Sequence, residues 1–172
     1  LGEGELVDGM YRDGFHCPLA DQLMGATAEN LAEEFAITRE EQDSYAVESQ
    51  QRCQRASEAG LFSDEIAPVE IAGRKGATVV ETDEHPRNDV TIEAMGRLKP
   101  VFKKDGSIHA GNSSGITDGA CAVVISDESL AREQGWPILA TLGASTRAGV
   151  EPKRMGMGPV PAIGKLLEKT GG

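Results

Sequence analysis

Aromatic residues are scarce in this chain: one Trp, two Tyr and four Phe, 4% of 172 residues. An interior built on rings is excluded, so a core has to come from Val, Ile, Leu, Met and Ala. Cysteine is equally thin. Cys17, Cys53 and Cys121 are too few and too far apart for a disulfide framework or a zinc site, and a reducing cytoplasm is the expected compartment. No apolar run approaches the ~20 residues that span a bilayer, and residues 1–15 lack the basic start and apolar stretch of a signal peptide. Positive charge is in deficit. A formal net charge of −11 argues against a nucleic-acid or anionic-membrane partner. An anionic ligand would need a local basic patch, for which Arg74, Lys75, Arg87, Arg97, Lys99, Lys103 and Lys104 are candidates.

Several catalytic signatures are missing as well. No Gly-Lys-Ser/Thr follows a glycine-rich turn, so there is no P-loop, and the dinucleotide fingerprint is absent because Gly156-x-Gly158 runs into Pro159. Gly111 to Gly115 contains serines without the preceding strand of a nucleophile elbow. Cys17 precedes a proline and Cys121 sits in an apolar run, neither being the basic setting that activates a thiolate. His85 stands alone among carboxylates with no second ligand at metal spacing, and no metal is expected.

What the chain does have is a distinctive stretch from His109 to Ser126. Its first half is small and polar; its second is an apolar run of strand length. Gly111, Gly115 and Gly119 recur every fourth residue, which on a helix leaves one face without side chains, open to a ligand or another backbone. The stretch reads as a ligand-facing turn and short helix entering a core strand, or equally as a tight helix–strand joint with no ligand.

Local signals place the other elements. Leu6, Met10 and Tyr11 give a short helical rhythm over 5–13, and Thr27 with Glu29 suggests the capped start of a helix over 24–32. Thr38-Arg39-Glu40-Glu41 is a capping box, followed by Tyr45, Ser49, Cys53, Ala56 and Ala59 at helical spacing up to Gly60. On that stripe Cys53 reads as a buried small hydrophobe. Residues 66–71 and 77–81 alternate around 73–76 as a hairpin. Short helices are expected over 91–98 and 127–134, a strand over 138–146, and a final helix over 159–169 carrying Val160, Ile163, Leu166 and Leu167 on one face. Helices alternating with strands after residue 100 predict an α/β layer, with a helical and hairpin insertion before it.

Five segments, taken together, resemble the thiolases. They are Met24-Gly25-x-Thr27-Ala28-Glu29-Asn30-Leu31-Ala32, Thr38-Arg39-Glu40-Glu41-Gln42-Asp43, Leu98-Lys99-Pro100-x-Phe102, Ala110-Gly111-Asn112-Ser113-Ser114-Gly115-Ile116-x-Asp118-Gly119-Ala120 and Gly156-x-Gly158-Pro159-Val160-Pro161-Ala162. They occur in the family's order and near its spacing, over nearly the whole chain. The resemblance implies a partial layered α/β/α fold. Residues 1–100 would be the loop domain that covers coenzyme A, 101–136 the end of the N-terminal half, and 137–172 the start of the C-terminal half.

The implied chemistry is an acetyl-CoA C-acetyltransferase type of acyl transfer, the Claisen condensation or thiolysis of 3-ketoacyl-CoA, in fatty acid metabolism. The family's nucleophilic Cys, its Asn, its His and its second Cys all fall outside these residues. No catalytic residue is therefore assigned, and the segment alone is expected to be inactive. The alternative is a non-catalytic coenzyme A-binding or structural piece of a broader-range 3-ketoacyl-CoA thiolase. The chain starts at Leu1 rather than methionine, and both ends are expected to be cut from something longer. By resemblance Met24 lines the acyl pocket and Phe15 lies near the adenine. Arg87 lies beside the adenine nucleotide, where its charge suits phosphate. Ala110, Gly111 and Ser114 lie against the pantetheine arm. No resident cofactor is implied, since the thioester is substrate, and the full-length protein is expected to be a homodimer or homotetramer. The chain departs from the family at Leu23, where many members carry His, at His109, where Thr is common, and at Ala94, often Ser.

Overall fold

A computed structural model describes residues 2, 4–74 and 76–171; Lys75 of the basic set lies outside the described residues. The chain divides into two units, one of residues 28–115 and one of residues 1–27 with 116–172.

The 28–115 unit is built on two helices, α2 (Arg39–Glu58) and the part of α1 (Met24–Glu34) that follows residue 27. The capping box forms as the sequence predicts. Thr38 Oγ1 accepts from the Glu41 amide at 3.2 Å, and the Thr38 amide donates to Glu41 Oε2 at 2.7 Å, so two orphan N–H groups are satisfied at once. The helix ends before Gly60, at φ +70°. α1 begins differently from the sequence expectation. It starts at Met24, so Thr27 is inside it and donates its hydroxyl to the Met24 carbonyl at 2.6 Å instead of capping. The stripe along α2 is not the buried one either: Tyr45 is 81% exposed and Cys53 half-buried, while Asp43 is buried.

The hairpin forms with β3 (Val69–Gly73) antiparallel to β4 (Gly76–Val80), pairing Val69 with Val80 and Gly73 with Gly76. Both its faces are exposed. A short helix, α3 (Ile92–Gly96), is capped by Thr91, whose hydroxyl accepts from the Ala94 amide at 3.2 Å.

The other unit contains a single turn of π-helix (Tyr11–Phe15), placed later than the rhythm over 5–13 suggests. A two-residue ladder follows, β1 (His16–Cys17) with β2 (Gln22–Leu23). α4 (Glu128–Glu133) is capped by Asp127 and closed by Gly135 at φ +67°. α5 (Pro159–Thr170) lies along residues 145–147, where Thr146 Oγ1 donates to the Ala162 carbonyl at 2.6 Å.

Three expected elements are not there. Neither 111–119 nor 119–126 forms the anticipated helix or strand, and 138–146 is not a strand. A strand exists only by pairing, and among the described residues no neighbour pairs with these runs. Val124 is 91% exposed and Leu139 95%. Among the described residues the buried apolar ones are Ala20, Ala32, Met95 and Ala131, so of the Val, Ile and Leu assigned to the core some, such as Leu31 and Ile108, are half-buried and many others are exposed. Among the described residues no helix is long and apolar enough to cross a membrane.

Candidate functional site

Residues 105–115 carry three of the six residues singled out in the sequence, and their path is dictated by buried polar side chains of α1 and α2. Glu29, only 4% exposed, reaches from α1 to the chain at 107–108. Its Oε1 accepts from the Ile108 amide at 2.7 Å and the Ser107 amide at 2.9 Å, and its Oε2 from the Ser107 hydroxyl at 3.1 Å. A buried carboxylate is costly unless its lone pairs are filled, and here two backbone donors and one hydroxyl fill them. Because α1 starts at Met24 and not after Thr27, Glu29 lies beyond the first turn and serves the 107–108 backbone, not the helix dipole. Gly106 fits this arrangement. A Cβ there would stand 2.8 Å from Glu29 Cδ, closer than real Cβ contacts come.

The second anchor is Asp43 on α2. Its Oδ2 meets Arg39 Nε at 2.6 Å, and its Oδ1 meets His109 Nε2 at 2.7 Å and Asn112 Nδ2 at 3.2 Å. Arg39 also donates Nη2 to the carbonyls of Met95 at 2.7 Å and Leu98 at 3.0 Å, tying the end of α3 to α2. Asp43 is thus fully partnered, which a buried charge requires. Asn112 completes the turn. Its Oδ1 accepts from the His109 amide at 2.8 Å, its Nδ2 donates to the Ser107 carbonyl at 3.0 Å, and its own amide donates to the His109 carbonyl at 3.2 Å. Among the described residues no buried side-chain polar atom is left without a partner.

On this frame Ala110 and Ser114 are exposed and Gly111 is half-buried. Gly111 packs so closely that a Cβ there would lie 2.6 Å from Met95 Sδ and 2.7 Å from Leu98 Cδ1. Of the expected glycine face, Gly111 and Gly115 are true close-approach positions, Gly115 lying under the His85 imidazole, whereas Gly119 faces open space. The His85 contact brings the 83–87 loop to the 110–115 segment. Arg87, exposed, is fixed by its amide donating to Gln50 Oε1 of α2 at 2.9 Å. Lys103 of the basic set is ion-paired with Glu33.

Phe15 and Met24 belong to the other unit. Phe15 is half-buried and edge-on to Tyr11, with ring centroids 5.7 Å apart; Met24 is half-buried at the start of α1. An open cleft of about 560 Å³ between α1 and α2 is lined by Leu31, Phe35, Ile37, Tyr45 and Ile108 among others, and by none of the six.

The carboxyls held below their usual range lie elsewhere. The Thr38 amide and hydroxyl lower Glu41, Arg52 and Arg55 lower Glu48, and the Ser129 hydroxyl and amide lower Asp127. These are exposed cap and ion-pair groups with no part in the turn. Sequence reasoning missed Glu29, Arg39 and Asp43 as site builders. The one local signal is the four-residue spacing of Arg39 and Asp43 on α2, which an exposed ion pair shows equally.

Comparison with known proteins bears on this frame directly. Residues 1–129 match the family model described as "Thiolase, N-terminal domain". The chain belongs to the thiolase family. It is 47% identical over 172 residues to a Pseudomonas aeruginosa protein named acetyl-CoA acetyltransferase, covering 99% of this chain and 44% of that protein. An Escherichia coli protein of the same name is 47% identical over 171 residues, with 99% and 43% covered. Among solved structures, Bacillus anthracis acetyl-CoA acetyltransferase superposes with a TM-score of 0.89 at 46% identity, covering 98% of this chain and 43% of that one. Human mitochondrial 3-ketoacyl-CoA thiolase superposes at 0.90 with 43% identity, covering 99% and 43%. This thiolase chain therefore spans less than half the length of the relatives it matches. Its mixed helix-and-sheet architecture is a partial thiolase α/β fold.

Proposed function

We propose that this chain is the coenzyme A-covering part of an acetyl-CoA C-acetyltransferase. The enzyme exchanges acyl groups between coenzyme A thioesters by Claisen condensation or thiolysis, in fatty acid metabolism. The thioester is substrate and no resident cofactor takes part. In this reading residues 1–100 form the loop domain, and 101–136 and 137–172 belong to the two catalytic halves. The Cys, Asn, His and second Cys that perform the chemistry in the family lie outside these residues. Assembly as a homodimer or homotetramer and residence in the cytoplasm belong to the same proposal.

The observation that carries it is the 107–112 turn. Two buried carboxylates on adjacent helices hold it, leaving a slim exposed backbone with the Ser114 hydroxyl, and the His85 contact sets the Arg87 loop beside it. A long, narrow arm ending in phosphates suits such a surface: the small residues admit the arm, Ser114 offers a hydrogen bond, and Arg87 a charge for the nucleotide end. Phe15 and Met24 would contribute apolar contacts to the adenine and the acyl group. In the complete protein, Arg87→Ala is expected to raise KM for acetoacetyl-CoA roughly fivefold with kcat nearly unchanged, the signature of lost uniform binding. An unchanged KM removes Arg87 from the site; absence of any thiolysis by the unsubstituted protein refutes the enzyme reading.

The second reading is a non-catalytic coenzyme A-binding piece, for which the exposed Ala110 and Ser114 beside the Arg87 loop would serve without any nucleophile. Thiolysis by the complete protein separates the two, and calorimetry of the 172-residue chain with coenzyme A tests whether this piece binds by itself. Heat from binding supports it, and none at millimolar ligand removes it.

A further inference from the structure

His109 is the most deeply buried side chain described, at 0% exposure, and both of its ring nitrogens are engaged. The Gly111 amide donates to Nδ1 at 3.0 Å. A backbone N–H can only donate, so Nδ1 must carry the lone pair and the ring proton must sit on Nε2. That nitrogen faces Asp43 Oδ1 at 2.7 Å, an acceptor held in place by Arg39 and Asn112. The tautomer is therefore fixed from both sides.

We propose that His109 is a positioning residue for thioester binding, a two-ended clamp that sets the backbone of the 110–114 segment by holding the Gly111 amide on one ring nitrogen and α2 on the other. This inference rests on the reading of 110–114 as the pantetheine-facing segment. The imidazole spans the distance from a backbone amide two residues ahead to a helix carboxylate, which a short hydroxyl side chain cannot do. It also consumes the Gly111 N–H, so Gly111 keeps no donor for the ligand, and side-chain hydrogen bonding there falls to Ser114. The turn is closed three times over 109–112, by the ring, by the Asn112 side chain and by the Asn112 amide. Loosening the ring contact shifts Ala110 and Gly111 without unfolding the helices beneath.

Two substitutions in the complete protein separate the ends of the clamp. His109→Asn sets an acceptor oxygen near the place of Nδ1 and gives up the Asp43 bond. His109→Gln sets an N–H near the place of Nε2 and gives up the Gly111 bond. His109→Gln is expected to speed hydrogen exchange at the Gly111 amide about tenfold and to raise KM for acetoacetyl-CoA about fivefold, with kcat within about twofold. His109→Asn is expected to raise KM by less than half as much, although it loses the Asp43 contact and melts at least as early. Equal KM increases, or a larger one in His109→Asn, overturn the clamp and leave a merely structural His–Asp pair.

If the unsubstituted protein neither cleaves acetoacetyl-CoA nor binds coenzyme A, the acetyltransferase reading of this surface falls. Gly111 exchange then decides the clamp: faster in His109→Gln than in His109→Asn supports it, and equal rates overturn it. Imidazole nitrogen NMR of the unsubstituted protein tests it without any variant. A bare Nδ1 with protonated Nε2 supports the clamp, and a proton on Nδ1 overturns it.

Discussion

Glu29→Ala removes a single side chain and strands three donors. The Ser107 amide, the Ile108 amide and the Ser107 hydroxyl all end on the Glu29 carboxylate, at 2.7 to 3.1 Å. Hydrogen bonds to a charged group contribute about 1.5–3 kcal/mol each when the donors cannot turn to water, and less when they can. Residues 107 and 108 are half-buried, so water reaches part of the space an alanine leaves. We take about 1 kcal/mol per donor, or about 3 kcal/mol for the set. Each 1.4 kcal/mol is about tenfold in an opening equilibrium, so exchange at the Ser107 and Ile108 amides should quicken by about a hundredfold. The assay is native-state hydrogen exchange with amide resolution, because the loss is local and a global melt of a multi-unit chain mixes several transitions. Glu29→Gln keeps one acceptor oxygen and brings an N–H towards donors, so it should fall between. Less than about threefold acceleration at both amides in Glu29→Ala would refute the claim that this carboxylate holds the turn.

Two further outcomes follow from neighbouring geometry. Gly111→Ala places a methyl against Met95 and Leu98, and Met95 is itself buried; overpacking of this kind costs about 1–3 kcal/mol, read as a lower denaturation midpoint, and no change would mean the α3 end yields freely. Glu41 is held below the ordinary glutamate range by the Thr38 amide and hydroxyl. A carboxyl lowered in the folded state stabilises above its unfolded value and loses that contribution as pH falls through the folded one. The advantage of the native chain over Glu41→Gln should therefore be present at neutral pH and fade below about pH 4.5, measured by exchange of the Thr38 and Glu41 amides; a difference independent of pH contradicts the capping-box origin.

Short-range chemistry was legible in the sequence. Thr38 and Glu41 meet across one helical turn, Asp127 and Gly135 bracket α4, and the 73–76 turn joins two alternating runs. Each is decided by residues close in the chain. The family was legible for a different reason, since five motifs in register leave little freedom for coincidence. What sequence periodicity could not reveal depends on distant partners. Residues 119–126 and 138–146 carry strand composition but find no partner among the described residues. Tyr45 sits on the expected buried stripe of α2 yet is exposed, while Asp43, two positions away, is buried because Arg39, His109 and Asn112 converge on it. A helical wheel scores Asp43 as a surface acid; only a partner 66 residues on makes it an interior one.

The fit between Glu29 and Gly106 gives these two positions a direction of change. A shorter side chain at 29 vacates the space above the glycine, after which position 106 can accept a side chain. The opposite order drives a new Cβ into the carboxylate while its three donors still depend on it. Gly106→Ala is therefore expected to be tolerated better together with Glu29→Ala than alone, so the effect of each substitution depends on which of the two is made first.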